Sequence, residues 1–262
     1  MEKHHGCKAG VTMYRFFVER EQINTVDNTV LITGDDRNHI KNVLRMNEGE
    51  EVSVMVPGDD REYRCAVSGY SEDAAILKLL FIKESNVELP CEVVLYQALP
   101  KADKMELIIT KAVELGAARI VPVATKRAVV KLDKDRAQKK TARWNAMCEA
   151  AAKQSKRAVI PEVSPVMTFA EALDDCKNYE VKMIPYELSD PDSMNSTRKI
   201  MESIEPGSKI AVFIGPEGGF EKSEIELATN AGFAPVTLGR RILRTETAGL
   251  VVLAWLIYNL ES

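Results

Sequence analysis

Two glycine-marked segments late in the chain hold the residue types with the most chemical content. The first, Phe213-Ile-Gly-Pro-Glu-Gly-Gly-Phe220, leaves an apolar run and enters a stretch opened by Glu221, Ser223 and Glu224. Glycines at 215, 218 and 219 let a backbone approach a ligand closely or take a positive φ, and Pro216 stiffens the turn. Open α/β sheets bind nucleotides at glycine-rich strand-to-helix loops. This loop has neither the GxGxxG fingerprint nor the GxxxxGK[ST] phosphate loop, and Glu217 among the glycines would repel a phosphate. A ligand with an adenosine and a cationic sulfonium, but no phosphate, suits it better; a tight turn after a buried strand is the plain alternative. The second segment, Leu238-Gly-Arg-Arg-Ile-Leu-Arg-Thr-Glu-Thr-Ala248, ends an apolar stretch at Gly239 and continues as a basic loop. Thr245 or Thr247 then offers an N-cap for an apolar last helix. Two glycine-marked strand ends separated by one helix should share one edge of a sheet.

The only histidines are His4, His5 and His39, which excludes a histidine triad or histidine metal cluster after residue 40. Chemistry there falls to carboxylates, arginines, hydroxyls and backbone groups. The five cysteines (Cys7, Cys65, Cys91, Cys148, Cys176) are scattered and never in CxxC spacing. That pattern predicts reduced thiols in a cytoplasmic chain, with no disulfide framework and no metal site.

The elements that must position these loops alternate from Cys91 onward. Strands are expected at Glu92–Ala98, Arg119–Val123, Val181–Tyr186, Lys209–Ile214 and Pro235–Leu238. Helices are expected at Asp103–Leu115, closed by Gly116, and at Lys134–Gln154, Phe169–Cys176, Ser196–Ile204, Lys222–Ala231 and Thr247–Leu260. Strands separated by helices mean a mostly parallel α/β sheet. Residues 13–84 read instead as short strands (Tyr14–Val18, Thr29–Thr33, Glu51–Val56, Glu62–Val67, Ala75–Ile82) around one helix, Asp35–Met46, capped by Asp35 or Asp36. This predicts a small β-barrel domain over 13–84, a boundary near Glu84–Pro90, an α/β domain over 90–262 and an unstructured leader at 1–12.

An apolar share of 45% supplies a core, and the longest apolar run, Ala248–Leu260, falls short of the roughly 18–20 residues that span a bilayer. No membrane partner is expected. With 35 Lys and Arg against 39 Asp and Glu, the chain carries −4. Between Thr125 and Arg157, eleven basic residues face three acidic ones, so that window is +8 and the remainder −12. One basic segment on an acidic protein suits a polyanion met on one face; a solvated helix face is the bland reading.

The two late segments together resemble the bacterial 16S rRNA N3-methyluridine methyltransferases, members of the knotted SPOUT class. Further matches are Arg15-Phe-Phe-Val18, His39-x-x-x-Val-Leu-Arg45 followed by Gly49, and Pro100-Lys-x-x-Lys-Met-Glu106 with Lys111-Ala-Val-Glu-Leu-Gly116. Arg143-Trp144 leading to Ala150-Ala-x-x-Gln-Ser-x-Arg157 is another. The resemblance runs in order from residue 13 to 260. It implies a PUA-like RNA-binding barrel followed by a SPOUT-type trefoil-knotted domain with a mostly parallel sheet, an exception to the rule against knots. It also implies S-adenosyl-L-methionine as cofactor, 16S rRNA (naked or within the small ribosomal subunit) as substrate, and a homodimer through the C-terminal domain. A 2′-O-ribose methyltransferase of the same class and a non-catalytic rRNA-binding assembly factor are the rivals. A nucleotide hydrolase is disfavoured by the missing phosphate loop.

Uridine N3 carries a proton and is a poor nucleophile while neutral, so a group must accept that proton or stabilise the charge left on the neighbouring carbonyls. The candidates are Arg244 for orienting the base or stabilising charge, and Glu217 or Glu246 as proton acceptor. Arg244 could instead pair with a carboxylate across a dimer, and Glu246 could simply cap a helix. The cofactor-binding set is Gly215, Pro216, Glu217, Gly218, Leu238, Gly239, Leu243, Arg244 and Thr245, with Met183–Glu187 as a weaker addition. Arg15, Arg45 and Lys101 within the shared motifs, and Lys139, Lys140 and Arg143 within the basic window, are the RNA-binding candidates.

Overall fold

Alternating burial builds the first unit of the chain. In the computed structural model, which describes residues 13–59, 61–84, 87–130, 132–186 and 193–261, six strands form one sheet. They are β1 (Arg15–Phe17), β2 (Ile23–Asn24), β3 (Thr29–Thr33), β4 (Glu51–Met55), β5 (Arg61–Tyr70) and β6 (Ala74–Glu84), ordered β1-β4-β5-β6-β3-β2. Only the β1–β4 pairing is parallel. Tyr63, Cys65 and Val67 alternate into a core with Phe16, Val30, Ile32, Val52, Val54 and Leu77. The expected single helix at 35–46 is instead a short α1 (Gly34–Asn38) followed by a π-helical turn over His39–Val43. Thr33, not Asp35 or Asp36, takes the cap position, because Gly34 turns the chain at φ +64°. Leu44 N then donates five residues back to His39 O at 2.8 Å, a widening that keeps Ile40 fully buried.

The division between units falls at Val87 and Glu88. Beyond it the chain alternates: β7 (Glu92–Ala98), α2 (Lys104–Glu114), β8 (Arg119–Ala124), α3 (Lys134–Ser155), β9 (Glu162–Val163) and β10 (Met167–Thr168). Then follow α4 (Phe169–Asp175), β11 (Val181–Pro185), α5 (Ser193–Glu202), β12 (Lys209–Ile214), α6 (Lys222–Asn230), β13 (Ala234–Val236) and α7 (Thr245–Leu260). Every pairing in this sheet is parallel, in the order β10-β8-β7-β12-β11-β13, with β9 beside β8. The central strand β7 is buried continuously from Val93, as a strand covered on both faces must be. One face packs Leu95, Ile108, Ile109 and Val212 with Val252, Leu253 and Leu256 of α7. The other packs Tyr96, Val121, Phe169, Phe220 and Phe233 around Phe213, with Tyr96 stacked on Phe213 at 4.6 Å.

Gly249 lets α7 lie directly on the sheet, since a Cβ there would come within 3.3 Å of Leu95 Cδ1. The last residue of the basic window proves structural. Arg157 is buried, donates from Nη2 and Nε to Glu88 Oε2 at 2.6 and 3.0 Å, and from Nη1 to the Val113 and Ala117 carbonyls. It satisfies the end of α2 and is not available to a polyanion. Lys131, Glu187 and the 1–12 leader lie outside the described residues.

Candidate active site

Because β8, β7, β12, β11 and β13 run parallel as neighbours, their carboxyl ends share one edge, where open α/β sheets place ligands. The glycine-rich loop leaves β12 in the middle of this row, and the basic loop leaves β13 two strands away. β11 between them ends at the half-buried Pro185, and Tyr186 N donates to Val236 O at 3.0 Å. Met183, in contrast, is fully buried and faces the core.

Thr245 holds the two loops together. Its hydroxyl donates to Gly215 O at 2.6 Å and accepts from Gln97 Nε2 at 2.9 Å. The expected N-cap role therefore falls to neither Thr245 nor Thr247. Arg244 is the cap residue, without a side-chain cap bond, because the Thr245 hydroxyl is committed to the loop.

Within the first loop the glycines differ. Gly219 sits at φ +66° with open space where a Cβ would stand, so its lack of a side chain leaves a cradle. Gly239 shares the positive φ, at +104°, but a Cβ there would meet Met194 Cε in ordinary contact at 3.8 Å. At Gly218 a Cβ would meet Arg127 in ordinary contact at 3.5 Å, and Arg127 Nη1 donates to Gly218 O. Gly218 is thus a braced position and Gly219 the open one. Leu238 and Leu243 are half-buried against the core of this unit, and Pro216 is buried.

The charged groups converge on a residue that motif reading passed over. Lys104 Nζ, at the start of α2, lies 2.9 Å from Glu217 Oε1 and 3.2 Å from Glu246 Oε2. Lys101 N also donates to Glu217 Oε1 at 3.1 Å. Burial pushes the Glu217 carboxyl up, but the bonds from Lys104 and the backbone outweigh it and leave it below the usual carboxylate range. At Glu246 its own backbone N–H is the largest influence, followed by opposing burial and then Lys104, with the same downward result. The bond to Glu217 raises Lys104 above the usual lysine range. All three stay charged at neutral pH. Arg244 is the exposed member, its side chain 81% accessible and 3.9 Å from Glu246.

The arrangement fits S-adenosylmethionine better than a phosphate ligand: an open cradle at Gly219, the apolar Leu238 and Leu243, and anionic Glu217 among the loop amides. Of the RNA-binding candidates, Arg45 and Lys101 are exposed. Arg15 is turned inward onto the buried Glu62, which also meets Arg64 and Lys83. On α3, Lys139 is exposed, Lys140 lies over the Trp144 ring, and Arg143 pairs with Glu106 at 2.8 Å.

Comparison with known proteins agrees with this geometry. The RNA methyltransferase domain family matches residues 87–257, and the RNA methyltransferase PUA domain family matches residues 32–80. The chain is 37% identical over 252 residues to ribosomal RNA small subunit methyltransferase E of Bacillus subtilis, covering 95% of this chain and 98% of that protein. It is 34% identical to the enzyme of the same name from Mesomycoplasma hyopneumoniae, covering 92% and 97%. Among solved structures, a ribosomal RNA small subunit methyltransferase E from Neisseria gonorrhoeae bound to S-adenosyl methionine superposes with a TM-score of 0.77 at 31% identity, covering 94% and 97%. A parallel α/β sheet within the stretch that the RNA methyltransferase domain model matches follows a PUA-like unit in this chain, and the chain belongs to the RNA methyltransferase family.

Proposed function

We propose that this protein transfers a methyl group from S-adenosylmethionine to N3 of a uridine in 16S ribosomal RNA. The observation that carries the reading is the bond from Thr245 Oγ1 to Gly215 O, which ties the end of the basic loop to the glycine-rich loop at the carboxyl edge of a parallel sheet. When bound, the cofactor supplies an electrophilic methyl on a sulfonium. The protein's own contribution is positioning and charge control. Gly215, Gly218 and Gly239 present backbone, and Leu238 and Leu243 present apolar wall to the adenosine. Arg244, exposed at the mouth, orients the uracil and stabilises the negative charge that reaches its carbonyls once N3 has lost its proton. Glu217 and Glu246, held ionised by backbone N–H groups and Lys104, are weak proton acceptors; they favour a cationic ligand and fix the ends of both loops.

The N-terminal unit binds rRNA as a PUA-like domain, Arg45 and Lys101 contact phosphates, and α3 adds Lys139. The C-terminal domain carries the trefoil knot of its class and pairs with a second copy through the outer face of α7, where Leu250, Val251, Trp255 and Tyr258 remain partly or largely exposed. A cytoplasmic location accords with rRNA as substrate, and no helix among the described residues is long and apolar enough to cross a membrane. No group of metal-ligating side chains occurs among the described residues.

Nucleoside mass spectrometry of 16S rRNA from cells with and without the protein is the test. Loss of one 3-methyluridine in its absence is the expected result. Loss of a 2′-O-methyl nucleoside, or an unchanged profile, overturns the reading.

A further inference from the structure

We infer that Gln97 is a positioning residue for the cofactor pocket, acting on the glycine-rich loop through Thr245. Gln97 is the penultimate residue of β7, fully buried and opposite Ile214 of β12 in the ladder, and its side chain is linked to the loop after β12 through Thr245 at the start of α7. Its Nε2 donates to Ala98 O at 3.0 Å and to Thr245 Oγ1 at 2.9 Å. Thr245 Oγ1 in turn lies 2.6 Å from Gly215 O.

The polarity of this relay is fixed by its ends. A backbone carbonyl only accepts, so the side of the Gln97 amide that faces Ala98 O is the NH2 group. Its second proton then goes to Thr245 Oγ1. That leaves the Thr245 proton for Gly215 O, which also can only accept. Each donor has one place to go, and no rotation of either side chain preserves all three bonds. Gln97 Oε1 is buried with no hydrogen-bond partner among the described residues, so the amide is held from its NH2 side alone.

This polar chain sits in apolar surroundings, with Leu95 on the same face of β7 and Val252 and Leu253 of α7 in the same core. A side chain of similar size without donors would pack there at little steric cost. The amide is kept in spite of a buried unsatisfied oxygen, which is unfavourable. The relay gives β7 and the loop after β12 a common reference: the carbonyl of Gly215 cannot turn without breaking the Thr245 bond.

The inference rests on the reading of the 215–219 loop as the cofactor pocket, and calorimetry with S-adenosylmethionine on the full chain tests the two separately. Gln97→Met and Thr245→Val should each weaken cofactor binding by about tenfold, the scale of one buried hydrogen bond with its stranded partner. The double variant should be no weaker than the worse single one, because both break the same relay. Thr245→Ser, which keeps the hydroxyl, should recover most of the affinity that Thr245→Val loses. Thermal midpoints confirm that each variant is folded; if Gln97→Met is insoluble, the Thr245→Val and Thr245→Ser pair decides alone. Gly219→Val serves as the reference for the pocket. If it binds cofactor like wild type, the pocket reading fails. If Gly219→Val loses binding while Gln97→Met and Thr245→Val retain it, or if Thr245→Ser does not recover it, the relay alone is overturned.

Discussion

Lys104 Nζ lies 2.9 Å from Glu217 Oε1, which ties the first turn of α2 to the middle of the glycine-rich loop. The two residues are 113 positions apart in sequence, so the bond reports the packed sheet and not a local motif. Glu246 closes the triad from the start of α7.

This triad sets an expected pH profile. Lys104 is raised in the folded protein, so its contribution is complete below the usual lysine range and lost as pH climbs through the elevated value. Glu217 and Glu246 are lowered, so theirs is complete above the usual carboxylate range and lost as pH falls through the depressed values. Cofactor affinity should therefore be flat from about pH 5 to about pH 9. Lys104→Met leaves two carboxylates facing each other, whose titration moves upward and gives the affinity a slope in mild acid. Calorimetry across that range checks this, and a flat profile in the variant would rule out a role for the triad in holding the loops.

The two adjacent glycines should respond differently to substitution. Gly218→Ala meets only ordinary contact with Arg127 and should bind cofactor within about threefold of wild type, well under the 1.4 kcal/mol of a tenfold change. Gly219→Val forces a β-branched residue to φ +66° and fills the cradle, at a cost of roughly 1–3 kcal/mol for backbone strain alone. Equal affinities for the two variants would contradict this assignment of the open position.

Two leucines one turn apart on α7 separate core from interface. Leu253 is fully buried, and Leu253→Glu should leave little folded protein because it strands a charge in the core. Leu250 is half-exposed, so Leu250→Glu should fold and sediment as a monomer. Sedimentation velocity at micromolar concentration is the measurement; a monomeric wild type would refute the dimer.

Reversing Lys139, Lys140 and Arg143 to Glu should weaken RNA binding and flatten its salt dependence. The slope of log K against log salt should fall by about 0.7–0.9 for each phosphate that is no longer neutralised. Cofactor affinity should stay near wild type. Because Arg143 already faces Glu106 and Lys140 covers Trp144, most of the effect should come from Lys139. An unchanged slope in a folded variant identifies these as ordinary surface charges.

The period of apolar residues and the placement of glycines made the parallel sheet and its two edge loops readable in advance. Those signals are local, and backbone geometry enforces them. What stayed hidden depended on partners far along the chain. Thr245 before an apolar run reads as a cap, yet its hydroxyl is drawn to Gly215 thirty residues away. Arg157 and Arg15 read as surface charge because a run of basic residues says nothing of burial, and Glu88 and Glu62 decide otherwise. Lys104 was visible inside a motif but carried no signal for two carboxylate partners. The π-helical turn after α1 left no mark, since Asp35 and Asp36 look like caps whether or not the helix begins there.

Gln97 and Thr245 meet across 148 residues of chain. During synthesis, at roughly 5–20 residues per second, β7 must wait many seconds for the segment that completes its carboxyl end. Until α7 has been made and seated, the Gln97 amide has no hydroxyl to address and the glycine-rich loop lacks its tie at Gly215. The central strands thus precede the pocket in order of assembly, and a chain shortened before Thr245 is expected to keep its sheet-forming pattern while losing the cofactor. Methylation competence arrives last, with the final helix as its trigger.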